Sequence, residues 1–383
     1  MSAVVVHRGE WLMERQLDAR AAGLLQSNLA TRGIACHLAT QVSAFYGDGG
    51  LQGVRLSDGR ELPCELAVIA AGVRPAVALA QQAGLTCRRG ILVDDRQQTD
   101  DPAIFAVGEC SQLGETTFGL VAACWQQATL LAQRLAGQES EPFRPAPLNT
   151  RLKVSGIDML CAGEVQAADD DEVHYAEDPQ AQHYRRLLLR DGRLHGVLLY
   201  GDAGDAQFYL QRLGCPVTDP AALLFGRTES EAAATANERK NDMHKPVLLV
   251  AGHGMVGHHF LEQLVARELH QRYHIVVFGE EQVAAYDRVH LSEYFSGRSA
   301  QSLSMVEEGF FARYGIELRL GLQVCAIDRQ RKCVTDSEGR ETAYDQLVLA
   351  TGSYPLCRLS PATSGRTVWC TARWTIWRRL PQR

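Results

Sequence analysis

The chain has 383 residues, of which 46% are apolar and 22% are charged, and its formal net charge is −6. This length allows two or three domains with hydrophobic cores, and the charge gives no reason to expect nucleic acid or an acidic membrane surface as a partner. No apolar run reaches the roughly 20 residues of a membrane span, and no signal peptide is recognisable, so we expect a cytoplasmic protein without membrane contact.

The N-terminal part of the chain has the pattern of an α/β domain. In residues 1–72, strand-like apolar runs alternate with one amphipathic segment, residues 16–29, as in a βαβ arrangement. Asp58-Gly59 separates an alternating run from the apolar run CELAVIAAG at residues 64–72. This pattern predicts a hairpin followed by a buried strand.

The middle of the chain has a different pattern. Between residues 151 and 213, short strand-like runs are separated by turns at Asp191-Gly192 and Gly201-Asp202, which predicts a small α+β unit. Residues 219–245 are rich in Ala, Glu, Thr and Asn without clear periodicity. We interpret this segment as a linker that includes one helical piece.

A glycine motif follows this linker. The apolar run at residues 247–251 leads directly into Gly252, Gly254 and Gly257, which have G-x-G-x-x-G spacing, and a helical apolar face and a second apolar run at 274–278 come next. In this context the first glycine permits a tight turn, the second lets the backbone approach a pyrophosphate, and the third lets the helix pack against the strand. The motif predicts a dinucleotide site; the alternative is a structural glycine-rich turn.

Two acidic residues follow the second apolar run, and either Glu280 or Glu281 is the candidate acceptor for a ribose hydroxyl. The sequence leaves this choice open. His253, His258 and His259 suggest a metal site, but no carboxylate or cysteine accompanies them at a recognised ligand spacing, so we predict no metal. The 11 cysteines contain no C-x-x-C pair, which argues against zinc, iron–sulfur and dithiol chemistry and predicts reduced thiols.

Several longer stretches resemble one family. They include DPAIFAVGEC at residues 101–110, GHGMVGHHFLEQLV from Gly252, AAYDRVHLSEYFSG, and YDQLVLATG at 344–352. The sequence resembles the FAD- and NAD(P)H-dependent reductase region of assimilatory nitrite reductase large subunits. It is similar also to rubredoxin reductases, which are pyridine nucleotide-disulfide oxidoreductases, and to the electron-transfer component of assimilatory nitrate reductase. The resemblance covers roughly residues 4–215 and 245–355.

The resemblance implies an α/β, Rossmann-like flavoprotein fold with two dinucleotide-binding domains and a small α+β domain. It implies electron transfer from NAD(P)H through FAD to a downstream redox protein or domain, such as a siroheme, iron–sulfur or nitrate reductase component. It gives no catalytic residue, and the FAD contacts that it implies are Gly252, Gly254, Met255, Val256, Gly257, Glu280, Arg288, Thr351, Gly352, Gly108 and Glu109.

The order of the segments differs from the family pattern, in which the GHGMVG and ATG pieces precede the GEC piece. We therefore expect an incomplete and permuted fold, as if the end of one family member were fused to the beginning of another. Val4 begins where the second strand of a nicotinamide domain is expected, so a first strand and glycine loop are missing from this domain and the NAD(P)H site is expected to be incomplete. With no acidic residue at His7 or Arg8, a 2′-phosphate is not excluded.

The expected organisation has six parts. A partial NAD(P)-binding domain is followed by the second half of an FAD domain, a small C-terminal reductase domain, a linker, the first half of an FAD domain and a tail that resembles a frameshift product; these are residues 1–72, 73–146, 147–215, 216–244, 245–355 and 356–383. A basic aromatic nucleic-acid patch in the tail is disfavoured. The chain is expected to be a nitrite reductase-type flavoprotein impaired by truncation, with a nitrate reductase electron-transfer subunit or an inactive fused fragment as alternatives.

Overall fold

The structure is a computed structural model, and it describes residues 2–48, 50–70, 72–145, 149–154, 157–225, 245–290, 299, 301–355 and 368–370. The chain divides into two compact units. Unit 1 comprises residues 1–67, 146–236 and 359–367, and unit 2 comprises residues 68–145, 237–358 and 368–383. Most of the expected frameshifted tail, and the linker beyond residue 225, lie outside the described residues.

The elements of the first 145 residues are β1 (Ala3–Val6), α1 (Ala19–Thr31), β2 (Ile34–His37), β3 (Val42–Tyr46), β4 (Gly53–Leu56), β5 (Glu61–Pro63), β6 (Ala67–Ile69), β7 (Val73–Pro75), α2 (Ala78–Gln82), β8 (Ile91–Val93), β9 (Ile104–Ala106), β10 (Ser111–Leu113), β11 (Thr116–Thr117) and α3 (Val121–Leu135). The later elements are β12 (Asn149–Val154), β13 (Ile157–Gly163), β14 (Glu172–Asp178), β15 (His183–Arg190), β16 (Arg193–Gly201), α4 (Ala206–Leu210), α5 (Pro220–Phe225), β17 (Val247–Ala251), α6 (Met255–Ala266), α7 (Leu269–Arg272), β18 (His274–Gly279), α8 (Phe310–Tyr314), β19 (Glu317–Leu320), β20 (Val324–Asp328), β21 (Cys333–Asp336), β22 (Glu341–Ala343), β23 (Gln346–Leu349), β24 (Ser353–Pro355) and β25 (Val368–Cys370). None of the helices in the described ranges has the length and apolar character of a membrane span.

The beginning of unit 1 is a βαβ arrangement, as predicted. Strands β1 and β2 pair in parallel, and α1 connects them. The helix begins at Ala19 and not at Gln16, because the Asp18 carboxylate caps it by accepting a hydrogen bond from the Ala21 amide at 3.0 Å. Leu25 and Leu29 lie on its buried face.

The predicted hairpin at Asp58-Gly59 is confirmed, since β4 and β5 pair in antiparallel register on either side of it. The prediction of a buried strand at residues 64–72 is wrong. Only β6 forms there, and Val68 is 55% exposed. Strand β6 joins neither the β1–β2 pair nor the β3–β4–β5 sheet. The apolar run was therefore not sufficient to bury this strand.

The five-stranded sheet of unit 1 has the strand order β12-β13-β16-β15-β14 and is antiparallel throughout. Asp191 and Gly192 form the two-residue connection between β15 and β16, and both have positive φ, as a type I′ hairpin requires. Leu187 and Leu199 are fully buried in its core, and α5 contributes Leu224. The predicted strand-rich unit with these turns is confirmed, and α5 is a helical piece within the predicted linker.

Unit 2 is built on a parallel sheet with the strand order β19-β18-β17-β23-β9. Two buried apolar clusters contain side chains of its strands, so the strands are apolar on both sides, as a covered parallel sheet requires. Helices α3 and α6 pack together in one of these clusters, where Phe260 and Leu131 are fully buried. The sheet therefore combines a strand from residues 104–106 with strands from residues 247–349.

Asp18 is the centre of a buried polar network in unit 1 that supports a first prediction. Besides capping α1, its carboxylate accepts a hydrogen bond from the Tyr184 hydroxyl at 2.7 Å and lies 3.3 Å from the Arg186 guanidinium. We expect Asp18→Ala to cost about 3 kcal/mol, because it removes the cap and leaves a buried cation without its counterion. Hydrogen exchange measured by mass spectrometry over residues 19–31 should reveal faster exchange, whereas Asp58→Ala, in an exposed turn, should leave that exchange unchanged.

Candidate dinucleotide site

A cavity of about 300 Å³ lies at the carboxyl ends of the unit 2 strands. The segments that follow β17, β18, β23 and β9 all contribute to its lining. Of the eleven residues predicted to contact a cofactor, the structure brings ten to this cavity: Gly252, Gly254, Met255, Val256, Glu280, Arg288, Thr351, Gly352, Gly108 and Glu109. The remaining residue, Gly257, packs against the Gly252 carbonyl of the glycine loop.

The three glycines of the motif have different steric surroundings. Gly252 has φ +118°, and a Cβ there would lie 2.2 Å from the Ala350 carbonyl oxygen. A Cβ on Gly257 would lie 2.3 Å from the Gly252 carbonyl oxygen, so α6 fits against the loop only without a side chain there. The nearest atom to a Cβ on Gly254 is Arg288 Nη2 at 3.7 Å, so this glycine leaves space on the cavity side.

Two helices begin at the cavity without side-chain caps. Gly254 is the N-cap of α6 and Leu120 is the N-cap of α3, and neither has a side-chain capping hydrogen bond. Gly119 and Val121 line the cavity on the α3 side. Because the first amides of a helix have no intrahelical acceptor and carry its positive dipole end, both helix starts favour anionic or hydrogen-bond-accepting groups of a ligand.

The two candidate acidic residues have different surroundings. The Glu281 side chain is only 13% exposed and accepts hydrogen bonds from Arg288 Nη2 at 2.6 Å and from the Tyr286 hydroxyl at 3.0 Å. Glu281 thereby fixes Arg288 near Gly254 at the wall of the cavity. Glu280 lines the same cavity and is exposed.

Residues from the segments after β9 and β23 meet in the lining of the same cavity. Gly108 has φ +85°, and a Cβ there would lie 3.3 Å from the Val256 methyl groups. The Ser353 hydroxyl donates a hydrogen bond to Glu109 Oε2 at 2.6 Å. Sequence reasoning did not identify Ser353; its only signal was its position immediately after Gly352.

The histidines after the glycine motif form a buried cluster. His253 is 8% exposed, and its ring lies 5.6 Å from that of His258 and 5.4 Å from that of Phe311, measured between centroids. Glu262 was not identified from the sequence. Its carboxylate oxygens lie 3.6 Å from His258 Nε2 and 3.4 Å from His259 Nδ1, because Glu262 is four residues after His258 and three after His259 on α6. In the part of the chain that the structure describes, no group of three or more His, Cys, Asp or Glu side chains is arranged to hold a metal ion.

A parallel sheet with a glycine loop, two open helix starts and carboxylates around one cavity defines a dinucleotide-binding α/β protein. Residues 1–128 and 247–368 match the pyridine nucleotide-disulphide oxidoreductase family, and residues 147–213 match the rubredoxin NAD+ reductase C-terminal domain. The chain belongs to the pyridine nucleotide-disulphide oxidoreductase family, whose members use FAD and NAD(P)H.

The curated relatives include proteins of nitrite and nitrate reduction. The chain is 34% identical over 238 residues to the NAD(P)H nitrite reductase of Bacillus subtilis, covering 62% of this chain and 30% of the relative. It is 67% identical over 113 residues to the nitrite reductase large subunit of Klebsiella oxytoca, covering 30% and 12%. It is 37% identical over 213 residues to the assimilatory nitrate reductase electron transfer subunit of B. subtilis, covering 56% and 28%. The chain thus spans less than a third of the length of these relatives.

A solved structure supports the fold. The ferredoxin reductase for the CYP199A2 system from Rhodopseudomonas palustris has a TM-score of 0.50 and 24% identity, over 56% of this chain and 55% of that one. The predicted α/β class is therefore confirmed.

The steric roles of the glycines lead to a second prediction. We expect Gly252→Ala and Gly257→Ala to destabilise the apoprotein by about 3 kcal/mol each, because the added Cβ would overlap a carbonyl oxygen. Gly254→Ala should cost no more than about 1 kcal/mol, since its Cβ meets only ordinary contacts. Thermal unfolding of the three variants is the measurement, and a Gly257→Ala protein as stable as the parent would contradict this account of the loop.

The buried histidines predict a pH dependence. Burial and the neighbouring His258 lower the pKa of His253 from 6.5 to about 3, and burial also lowers the pKa of His258. Below pH 6.5 the unfolded chain therefore takes up protons that the folded chain does not. His253 therefore makes stability fall as the pH drops from 6.5 towards 3, by about 1.4 kcal/mol per pH unit, and His258 contributes a loss of the same sign.

We expect His253→Phe to reduce the fall in the thermal midpoint between pH 7 and pH 5, relative to the parent, because the aromatic ring keeps its packing and no longer titrates. His183→Phe, at an exposed position in unit 1, is the matched control and should leave that difference unchanged. Equal pH dependence in the His253→Phe variant and the parent would refute the assignment.

Proposed function

We propose that unit 2 binds FAD and that the chain is a reductase of the nitrite reductase large-subunit type, which passes electrons from NAD(P)H through FAD to a downstream redox protein or domain in nitrate and nitrite assimilation. The observation that carries the proposal is the convergence of the glycine loop, two uncapped helix starts and ligand-binding side chains on one cavity. A similar electron-transfer role in nitrate reduction is the second candidate, favoured by the identity to the B. subtilis nitrate reductase subunit.

The chemistry of the cavity fits FAD. Gly254, Met255 and Val256 at the start of α6, with Arg288 beside them, would hold the pyrophosphate, because backbone amides and a guanidinium both bind phosphate oxygens. Gly254 leaves open space beside the backbone, which close approach of a pyrophosphate requires. Bound FAD supplies acceptance of a hydride from a nicotinamide and release of single electrons.

The remaining predicted residues would hold the sugar and flavin parts. We propose that Glu280, whose exposed side chain lines the cavity, accepts a hydrogen bond from the ribose, while Glu281 holds Arg288 in place. Glu109 would accept one from the ribityl chain. Thr351 and Gly352 would form the backbone wall of the cavity, where the Thr351 hydroxyl donates to the Ala76 carbonyl at 3.0 Å. The α3 start would stabilise negative charge on the reduced flavin.

The nicotinamide part of the proposal concerns unit 1. Residues 1–67 contribute the β1–α1–β2 arrangement but contain no G-x-G-x-x-G motif. We propose that His7 and Arg8, which follow β1, lie where this strand would face the nucleotide ribose. Whether the chain oxidises NADH or NADPH is a matter for the experiment below.

We further propose that the chain joins two FAD half-domains in swapped order, with residues 73–146 as the second half and residues 245–355 as the first. The separate matches of residues 1–128 and 247–368 to one family support the presence of two pieces of that family in the chain. The parallel pairing of β9 with β23 supports assembly of the halves within one molecule. An inactive fused fragment would instead retain no cofactor.

The proposal is tested by reconstituting the purified chain with FAD, removing free flavin and recording the visible absorption spectrum, followed by anaerobic addition of NADH, NADPH and finally dithionite. We expect retained flavin that NADH or NADPH bleaches and that dithionite bleaches fully. Gly254→Ala should lose the flavin while remaining folded, and Gly23→Ala, which meets no neighbouring atom within 4 Å, should retain it.

The two parts of the proposal have separate outcomes. A folded parent chain that retains no flavin overturns FAD binding. Retained flavin that only dithionite bleaches leaves FAD binding standing and overturns the proposed electron transfer from NAD(P)H.

A further inference from the structure

One wall of the cavity carries a hydrogen bond between residues that are 244 positions apart in the chain. The Ser353 hydroxyl donates to Glu109 Oε2 at 2.6 Å, and both residues are half-buried and line the cavity. This distance is typical of a hydroxyl bound to an ionised carboxylate, which is among the stronger hydrogen bonds in proteins. The bond fixes the direction of a side chain that otherwise has three rotatable bonds.

The backbone on the Ser353 side is held firmly. Ser353 begins β24, which pairs in antiparallel register with β7, opposite Pro75. The Ala76 amide donates to the Gly352 carbonyl at 2.9 Å, and the Thr351 hydroxyl donates to the Ala76 carbonyl at 3.0 Å. The Ser353 hydroxyl is therefore a fixed donor.

The backbone on the Glu109 side is equally constrained. The preceding Gly108 has φ +85° and packs against Val256, and its amide donates to Gln127 Oε1 at 2.8 Å. The Ser111 hydroxyl donates to the Gly108 carbonyl at 2.8 Å. With both backbones fixed, the Ser353 bond decides where the second carboxylate oxygen of Glu109 lies.

That second oxygen, Oε1, has no hydrogen-bond partner among the described residues, although Glu109 lines the cavity. A carboxylate only accepts hydrogen bonds and repels phosphate, so this wall favours a neutral hydroxyl donor. The phosphate-binding chemistry lies at Gly254 and Arg288. The lining therefore offers a hydrogen-bond acceptor at Glu109 and phosphate-binding groups at Gly254 and Arg288.

We propose that Ser353 is a positioning residue that orients Glu109 to accept a hydrogen bond from a polyol hydroxyl, which in FAD is the ribityl chain. The inference rests on the proposed FAD binding and adds a residue that determines affinity for the flavin half of the ligand and not for the adenylate half. Ser353 itself need not contact the cofactor.

The test measures the affinity of the purified apoprotein for FAD and for ADP, together with its thermal midpoint, in the parent chain and in Ser353→Ala, Ser353→Thr and Glu109→Ala variants. We expect Ser353→Ala to weaken FAD binding about tenfold, the size of effect that loss of a hydrogen bond to a charged group produces. ADP affinity and the apoprotein midpoint should not change. Ser353→Thr, which keeps the hydroxyl, should restore most of the FAD affinity.

Two further variants sharpen the result. In the double variant of Ser353→Ala and Glu109→Ala, FAD affinity should equal that of Glu109→Ala alone, because Ser353 acts through Glu109. Ser337→Ala is the matched control, since this exposed serine of unit 2 accepts a hydrogen bond from the Gln323 amide and does not line the cavity. It should bind FAD and ADP like the parent.

The failures are distinguishable. A parent chain that binds ADP but not FAD overturns the proposed cofactor and this inference with it. If the parent binds FAD and Ser353→Ala binds it equally well, only the role of Ser353 is overturned. Equal losses of FAD affinity, ADP affinity and thermal stability in Ser353→Ala would assign the residue a structural role, which also overturns the inference.

Discussion

The parallel pairing of β9 with β23 is the interaction on which the candidate site depends. Leu347, Val348 and Leu349 lie opposite Ile104, Phe105 and Ala106, and all six residues are buried. The Val107 amide donates to the Leu349 carbonyl at 3.0 Å, which continues the ladder to the point where the chain turns into Gly108. Because parallel strands present their carboxyl ends at one sheet edge, this pairing brings Glu109 to the same cavity as the glycine loop. Such a short ladder between distant segments must offset a large loop-closure entropy, and burial on both faces provides the stabilisation.

The cavity that results is chemically asymmetric. Arg288 and the α6 start form a positively polarised end, and Arg288 keeps its position because Glu281 accepts its hydrogen bond at 2.6 Å. The lining also carries the Glu109 carboxylate, and the start of α3 contributes to the same lining. A ligand with anionic phosphates at one end and neutral hydroxyl groups at the other satisfies both. These charged and polar groups alone therefore favour one orientation of a dinucleotide in the cavity.

The sequence predicted what local order determines and missed what depends on tertiary contacts. The glycine loop was predictable because the strand, the turn and the helix are consecutive, and their steric needs define the residue types. The different surroundings of Glu280 and Glu281 were not predictable, because they depend on Arg288 and Tyr286 folding back onto Glu281. Ser353 was missed for the same reason, since its partner is 244 residues away. The buried strand predicted around Val68 failed because an apolar run does not specify which neighbours cover it.

The sheet order explains how a site of this kind tolerates the order of segments proposed for this chain. Strand β9 is at the edge of its sheet and contacts only β23 within it, so its connections need not pass between other strands. An edge strand in a parallel sheet can therefore be supplied from either end of a polypeptide without crossing another connection. Its register is still specified, because a slip of one residue would turn Ile104 and Ala106 away from the cluster that buries them and direct Phe105 into it. Gly108, Glu109 and the glycine loop therefore meet at one cavity because the carboxyl ends of their strands are adjacent in space, whatever their order along the chain.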